Sequence, residues 1–577
     1  MTTTLDATGS EQAIATGTGT GTAAGQPPDP GAPYRWRWLA YTAVLAASVM
    51  DLLDATISSV AAPSIRHSLG GSYADLQWIA AGYTLAMAVT LLTGGRLGDM
   101  FGRRRMLLVG MAGFTLASLA CAAAVSPETL TLARVLQGGF GAVMLPQGFG
   151  LIRELFPPYE MGKVWGVFGP VMGLSAILGP IVAGGLIGAD LFGTGWRMIF
   201  LINVPVGVAA LAVAVRFLPA SAPELRSTRL DLPGVGLAAT GTFLLVFPLV
   251  QGRELGWPGW VKAMLVASAP VLVAFGWYQV RRKRSGRTPL IEPSVFARRS
   301  YVSGVLFALA FLGGLGGMML TVGVLLQVGL GYTPMHASLT MSPWGVGALV
   351  GSGFGGAMMH RLGRRILHLG LAVMAAGILG LYAVLGHDGV HLSAWHLVVP
   401  NLAGGIGMGM IFVPLFDIVM GGLAPRELGS GSGILQAVNQ LGTALGVAVL
   451  GTLFFSVAGG QAHHQFNTAA APGLHATLAA HGVTGHERDA LVARVRACVA
   501  ERENETDPDV VPASCRTTAG QPTDPAVTRA IATAATITHR RDAVTAAERT
   551  LLATTGLVGL AFLLGFLLPR KARQQGW

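Results

Sequence analysis

What most constrains this chain is the return, from residue 38 to residue 568, of apolar runs about 20 residues long. A helix of that length, rising about 1.5 Å per residue, crosses the roughly 30 Å hydrocarbon core of a bilayer. The runs lie near 38–62, 75–95, 106–125, 129–152, 162–187, 198–218, 232–251, 260–280, 301–327, 337–359, 366–385, 395–422, 430–457 and 547–568. No single globular core could bury that much apolar surface in a chain that is 52% hydrophobic and 12% charged. The expected class is an all-α membrane protein with fourteen spans.

An even number of spans puts both termini on one side. With the termini in the cytoplasm, about 25 Lys and Arg fall in inner tails and gaps and only about four in short outer gaps. The net charge of +11 is therefore read as membrane orientation, not nucleic-acid binding, because the basic residues sit in short gaps instead of on one face. The strongest contributor, residues 281–300 (RRKRSGRTPLIEPSVFARRS), reads as a basic cytoplasmic linker. Residues 1–33, rich in Gly, Thr, Ala and Pro, read as a disordered cytoplasmic tail without the charged start and apolar core of a secretory signal. Residues 458–546 then lie outside as a long loop with helix-like apolar spacing at Leu491, Val495, Cys498 and Val499. Six of the 13 histidines fall there, His463 and His464 among them, with no accompanying ligand spacing, so no metal site is expected. Of the three cysteines, Cys121 is in a span; Cys498 and Cys515 form a disulfide if the loop faces an oxidising space.

The loop after the second run repeats. GRLGDMFGRRR at 95–105 and GAMMHRLGRRI at 356–366 match at one common offset: Gly95 with Gly356, Asp99 with His360, Gly102 with Gly363, and Arg103 and Arg104 with Arg364 and Arg365. Both fall between the second and third spans of a six-span unit if spans seven and eight are an insertion. Parallel duplication of this kind is found in transporters, with the substrate site between the halves near the bilayer midplane.

With these motifs in order, the chain resembles the major facilitator superfamily, and within it the fourteen-span drug:proton antiporters. GRLGDMFGRRRML resembles the superfamily loop motif, LDATISSVAAPSI (53–65) the subfamily's first-span motif, and RVLQGGFGA (134–142) its fourth-span basic motif. GLSAILGPIVAGGL (173–186) is similar to the fifth-span antiporter motif and WRMIFLINVPVG (196–207) to the entry into span six. Ala183 stands where that antiporter motif usually has a glycine, and Ser58 and Ser59 replace more typical residues of the first-span motif. The resemblance implies a major facilitator fold of two six-helix bundles (34–218 and 301–577) around two inserted helices (219–280). It also implies that Gly95, Asp99, Gly102, Arg103 and Arg104 act as a conformational latch. Gly173, Gly179, Pro180 and Gly184 would be the antiporter motif that seals the path.

Charge at depth gives the candidate chemistry. Ionisable groups inside a bilayer are costly and mark functional sites. Counted at about 1.5 Å per residue, Asp51 lies roughly 20 Å and Asp54 roughly 24 Å above the inner surface, and Arg134 on the antiparallel span four roughly 21 Å. Asp51 and Asp54, three residues apart, share a helix face. A carboxylate and a guanidinium at one depth form a site that holds either a proton or a substrate, which proton antiport needs. Asp417, roughly 12 Å from the inner surface, either attracts a cationic substrate or reaches water. Gln436, Asn439 and Gln440 offer hydrogen bonds to a substrate or between helices. Met50, Trp78, Tyr83 and Met87 are candidate pocket walls.

The expected function is proton-coupled efflux of amphipathic small molecules across the cell membrane, with protons and membrane lipids as the other partners and no nucleic acid. Export of a lipid or glycolipid is the alternative within transport, and a transport-inactive sensor or scaffold the alternative outside it. No nucleophile elbow, phosphate-cradling loop or metal-ligand spacing points to an enzyme, a cofactor or an ATP-driven pump.

Overall fold

A computed structural model describes residues 34–70, 73–220, 231–252, 255–424, 427–483, 485–504, 512–515 and 524–569. The expected tail at 1–33 lies outside them, as do the side chains of Ser58, Ser59, Pro180 and His360. Every described element is helical: α1 Arg37–Leu69, α2 Tyr73–Phe101, α3 Arg103–Ala122, α4 Pro127–Leu155, α5 Met161–Ala189 and α6 Asn203–Phe217, then α7 Leu232–Gln251 and α8 Gly259–Arg284. There follow α9 Arg299–Val324, α10 Pro334–Leu362, α11 Arg365–Asp388, α12 Val398–Met420, α13 Leu428–Gln465, α14 Ala471–Ala480, α15 Gly485–Asn504 and α16 Pro525–Gly565. Each apolar run falls on one of these helices, and eleven of the described helices are long and apolar enough to cross a membrane.

The helix starts are written locally. Ser126 and Thr129 form a reciprocal capping box ahead of Pro127 on α4. Asp231, Thr333 and Asp524 cap α7, α10 and α16, again with proline in the first turn. A side-chain oxygen takes an otherwise orphaned N–H, and proline gives up a donor that had no partner.

Packing follows a pattern that occurs twice. In the first half α2 and α3 pack on α4, α1 packs on α5 and α6, and α3 on α6. In the second, α10 and α11 pack on α12, α9 on α13 and α16, and α11 on α16. The halves meet through α5 against α10 and α13 against α2, a reciprocal pair under the same correspondence.

Individual contacts repeat too. Arg37, opening α1, bonds Glu160 ahead of α5 at 2.8 Å; Arg298, ahead of α9, pairs with Glu427 ahead of α13 at 3.5 Å. Two fully buried tyrosines tie first helix to fifth through backbone carbonyls, Tyr41 to Val164 at 2.8 Å and Tyr301 to Gly431 at 2.7 Å. Gly102 (φ 92°) and Gly363 (φ 54°) turn the chain between second and third helices in conformations that favour glycine.

α7 and α8 pack on each other outside this scheme, with α7 reaching α2 and α13. Asp231 joins their ends, accepting from Tyr278 at 2.9 Å and Gln279 at 3.2 Å. The described residues between 458 and 546 are mostly helical, as the apolar spacing there led one to expect. The end of α13, α14, α15 and the start of α16 bury Phe466, Leu474, Leu478, Val495, Val499 and Val527 in a small core of their own, and Cys498 is bonded to Cys515.

Candidate functional site

Five helices converge on one buried carboxylate. Asp54 on α1 is 1% exposed, and so is Arg134 on α4, whose guanidinium contacts its Oδ2 directly. Gln137, one turn along α4, donates to Asp54 Oδ1 at 2.8 Å, and Asn203, the first residue of α6, donates to the same oxygen at 3.0 Å. Gln137 also donates to Ser118 on α3 (2.8 Å) and accepts from Arg134 (2.7 Å) and from the Cys121 thiol (3.6 Å). The second Arg134 edge donates to the Ile79 carbonyl of α2 at 3.4 Å. In a dry interior such a pair is favoured when further hydrogen bonds meet its remaining lone pairs and protons, as Gln137, Asn203 and the Ile79 carbonyl do here.

Close helix approach makes the cluster possible. A Cβ on Gly138 would stand 2.2 Å from the Tyr83 carbonyl, so α4 touches the backbone of α2 and carries Arg134 to Ile79. The guanidinium lies 4.2 Å from the Tyr83 ring centroid, over its face. The Tyr83 hydroxyl donates a hydrogen bond to Asp51, which is partly exposed. Among the described residues that phenol is the one side-chain donor to Asp51. The two acids therefore differ: Asp54 is buried under three donors, whereas Asp51 is partly exposed and accepts from one side chain among the described residues.

The repeated loop lies where the halves touch. A Cβ on Gly95 would be 3.0 Å from the Gly429 carbonyl at the start of α13; on Gly356 it would be 3.1 Å from the Gly162 carbonyl at the start of α5. Asp99 is 2% exposed and lies over Gly429, so close that a Cβ there would meet its carboxylate at 2.0 Å. Arg96 and Arg103 neutralise Asp99 at 3.6 and 3.4 Å, and Arg103 also reaches Glu154 on α4 at 2.8 Å. Arg104 does not cross between halves: it donates to the Val215 carbonyl of α6 at 2.6 Å, tying α3 to α6.

Along the other seam, α5 remains helical through its glycines. A Cβ on Gly173 would be 3.6 Å from Ala348, and one on Gly184 3.4 Å from Met335, both on α10; Gly179 and Ala183 are buried.

The expected pocket residues separate. Met50 and Met87 are 1% exposed, and Gln440 on α13 donates to the Met87 sulfur at 3.2 Å, bridging the halves. Gln436, one turn earlier, is buried, its Oε1 taking no hydrogen bond from the described residues, and Asn439 is partly exposed. Trp78 departs from expectation: its ring packs on Phe247 of α7 at 5.7 Å and faces the inserted pair. Asp417, near the end of α12, interacts electrostatically with Arg153 of α4, whose guanidinium donates to the Met420 carbonyl at 3.1 Å. Gln137, Asn203, Ser118 and Cys121 were not singled out in the sequence. The i,i+3 spacing of Gln137 from Arg134 was a usable signal, and Asn203 lies inside the quoted span-six motif.

Relatives place this arrangement in a family. Residues 44–447 match the sequence profile of the Major Facilitator Superfamily. The chain is 47% identical over 544 residues to a "probable actinorhodin transporter" of Streptomyces coelicolor, covering 94% of this chain and 93% of that one. It is 37% identical over 431 residues to "puromycin resistance protein pur8" of Streptomyces alboniger (74% and 82% covered), and 35% over 438 residues to "tetracenomycin C resistance and export protein" of Streptomyces glaucescens (74% and 78%). Among solved structures it resembles the human organic anion transporter MFSD10 (TM-score 0.53, 17% identity, covering 74% of this chain and 94% of that one) and the proton:xylose symporter XylE (0.51, 15%, covering 72% and 87%), a likeness of fold. Taken with the twice-built helix packing, these matches show that the chain belongs to the Major Facilitator Superfamily of membrane transporters.

Proposed function

We propose that this transporter exports amphipathic small molecules, antibiotics among them, in exchange for protons, its two six-helix halves rocking about a central path. The single observation that carries the coupling is the pairing of a saturated acid, Asp54, with an unsaturated one, Asp51, around one buried guanidinium. Asp54 is met by three donors and fixes Arg134 between α1 and α4. Asp51 binds and releases the proton. When protonated it gives up the negative charge that attracts a cationic or polar cargo; when ionised it offers that charge again, so proton and cargo exclude one another.

The rest of the machinery follows the same reading. Asp99 over the start of α13 stabilises the inner-closed state, since a carboxylate at a helix N-terminus is favoured there and loses that partner when the halves part. The α5–α10 seam keeps the path sealed during rocking. Fourteen spans with both termini inside, residues 34–218 and 301–577 as the two bundles, and 219–280 as the inserted pair complete the proposed topology. The relative named as an actinorhodin transporter aligns over nearly all of this chain, outer module included. The module thus accompanies small-molecule export and gives no separate support to lipid cargo. A scaffold would have no use for a desolvated five-helix ion cluster.

The test is efflux from proteoliposomes under an imposed pH gradient, against dyes, antibiotics and lipids. Uptake of protons with dye or antibiotic export supports the reading; silence with every drug and activity with a lipid overturns it.

A further inference from the structure

We infer that the inner gate is itself a recognition site for planar aromatic cargo bearing a hydrogen-bond acceptor, such as a ring carbonyl; this rests on the export reading above. The gate's centre is a pair of rings from opposite halves. Phe149 on α4 and Phe416 on α12 stack with centroids 5.1 Å apart and planes 4° from parallel. They occupy equivalent places in the repeat, at the same offset that relates Glu160 to Glu427 and Gly162 to Gly429. Two such residues in contact lie on the pseudo-twofold axis between the halves, along which any central path runs.

Three more rings surround them. Trp165 on α5 is 5.9 Å from Phe149 and 6.2 Å from Phe416, Phe168 is 5.8 Å from Phe149, and Phe412 is 5.2 Å from Phe416. Trp165, Phe168 and Phe416 are at most 5% exposed. Phe149 lies near the last turns of α4 and Phe416 near the end of α12, so the cluster sits at the cytoplasmic mouth of the proposed topology. Arg153 straps it shut from α4 to the Met420 carbonyl.

The chemistry of the ligand comes from two features. When the halves separate, Phe149 and Phe416 part as two facing flat surfaces, and a planar aromatic molecule restores the stacking that each ring loses. Second, the Trp165 indole N–H is buried and finds no hydrogen-bond acceptor among the described residues. Buried indole donors ordinarily have a partner, and an unmet one beside a ring stack is a donor aimed at what enters. A ring carbonyl meets it; an aliphatic cation meets neither feature.

The experiment compares Trp165→Phe and Phe416→Leu with the unmodified transporter in proteoliposomes. It uses three probes: an anthraquinone dye, an acridine cation lacking oxygen, and a tetraalkylammonium ion. Trp165→Phe keeps a ring and removes the donor, so the half-saturating concentration for the anthraquinone is expected to rise about tenfold while the other two hold. Phe416→Leu weakens both planar probes and spares the tetraalkylammonium, whose transport also shows that the variants fold. Equal loss for all three probes, or no change in the anthraquinone with Trp165→Phe, overturns the gate as a recognition site while leaving export intact. If the unmodified transporter moves none of the three, planar aromatic cargo is excluded and this inference falls, while the wider panel of dyes, antibiotics and lipids still decides export.

Discussion

The carbonyl of Gly429 stands 3.0 Å from where a side chain on Gly95 would begin, so the two halves touch backbone to backbone where the end of α2 meets the start of α13. No side chain fits there without moving α13. Gly95→Val is expected to cost the inner-closed state about 1–3 kcal/mol through overpacking. Transport falls and the protein lingers open to the inside. The check is alkylation from the cytoplasmic side of a cysteine placed at Gln440, which is expected to speed up several-fold. Unchanged labelling would mean that this seam does not set the closed state.

Asn203 is expected to hold Asp54 in place without touching cargo. Removing its amide with Asn203→Ala leaves one carboxylate lone pair unmet in a dry site, at about 1–3 kcal/mol. Asp54→Asn leaves Arg134 buried without its counter-charge, a larger loss of about 3–5 kcal/mol. Thermal unfolding in detergent should rank wild type above Asn203→Ala and that above Asp54→Asn. Equal stability of all three would show that the cluster is wetter than its burial implies.

Bulk on the second seam is expected to stop transport without unfolding the protein. A Cβ on Gly173 already makes ordinary contact with Ala348, so Gly173→Phe drives a ring into α10 and holds the halves apart. Efflux of any working substrate should drop at least about tenfold. Full activity would remove α5 from the account of sealing.

How much of this could be read from the sequence depended on range. Apolar runs locate the long helices: each of the fourteen runs falls on one, and eleven of the described helices are long and apolar enough to cross a membrane. They do not fix where helices end: α13 continues to Gln465 and α16 begins at Pro525, because polar residues can extend a helix beyond the bilayer once tertiary contacts hold it. Matching depth placed Asp54 and Arg134 at one level. It could not supply Asn203, which is 149 residues from Asp54 and reaches it only through packing of α6 on α1. The Trp78 contact with Phe247 was hidden for a related reason: on a helix apolar all round, periodicity does not say which neighbour each face meets.

The outer module gives a prediction about stability alone. Cys498 and Cys515 are separated by 17 residues, and closing a loop of that size stabilises the folded module by about 3 kcal/mol. With both changed to serine, added protease should cleave the module faster, while efflux by intact molecules stays near normal. Loss of efflux without cleavage would tie the module to transport.

The central claim is that Asp51 carries the proton while Asp54 holds Arg134 in place, and the most direct measurement is proton movement coupled to efflux in proteoliposomes containing Asp51→Asn. The account predicts a folded protein, with unfolding within about 1 kcal/mol of wild type because only the Tyr83 bond changes. It also predicts residual downhill exchange of substrate but no response to an imposed pH gradient. Gradient-driven efflux at the normal rate from that variant would contradict it.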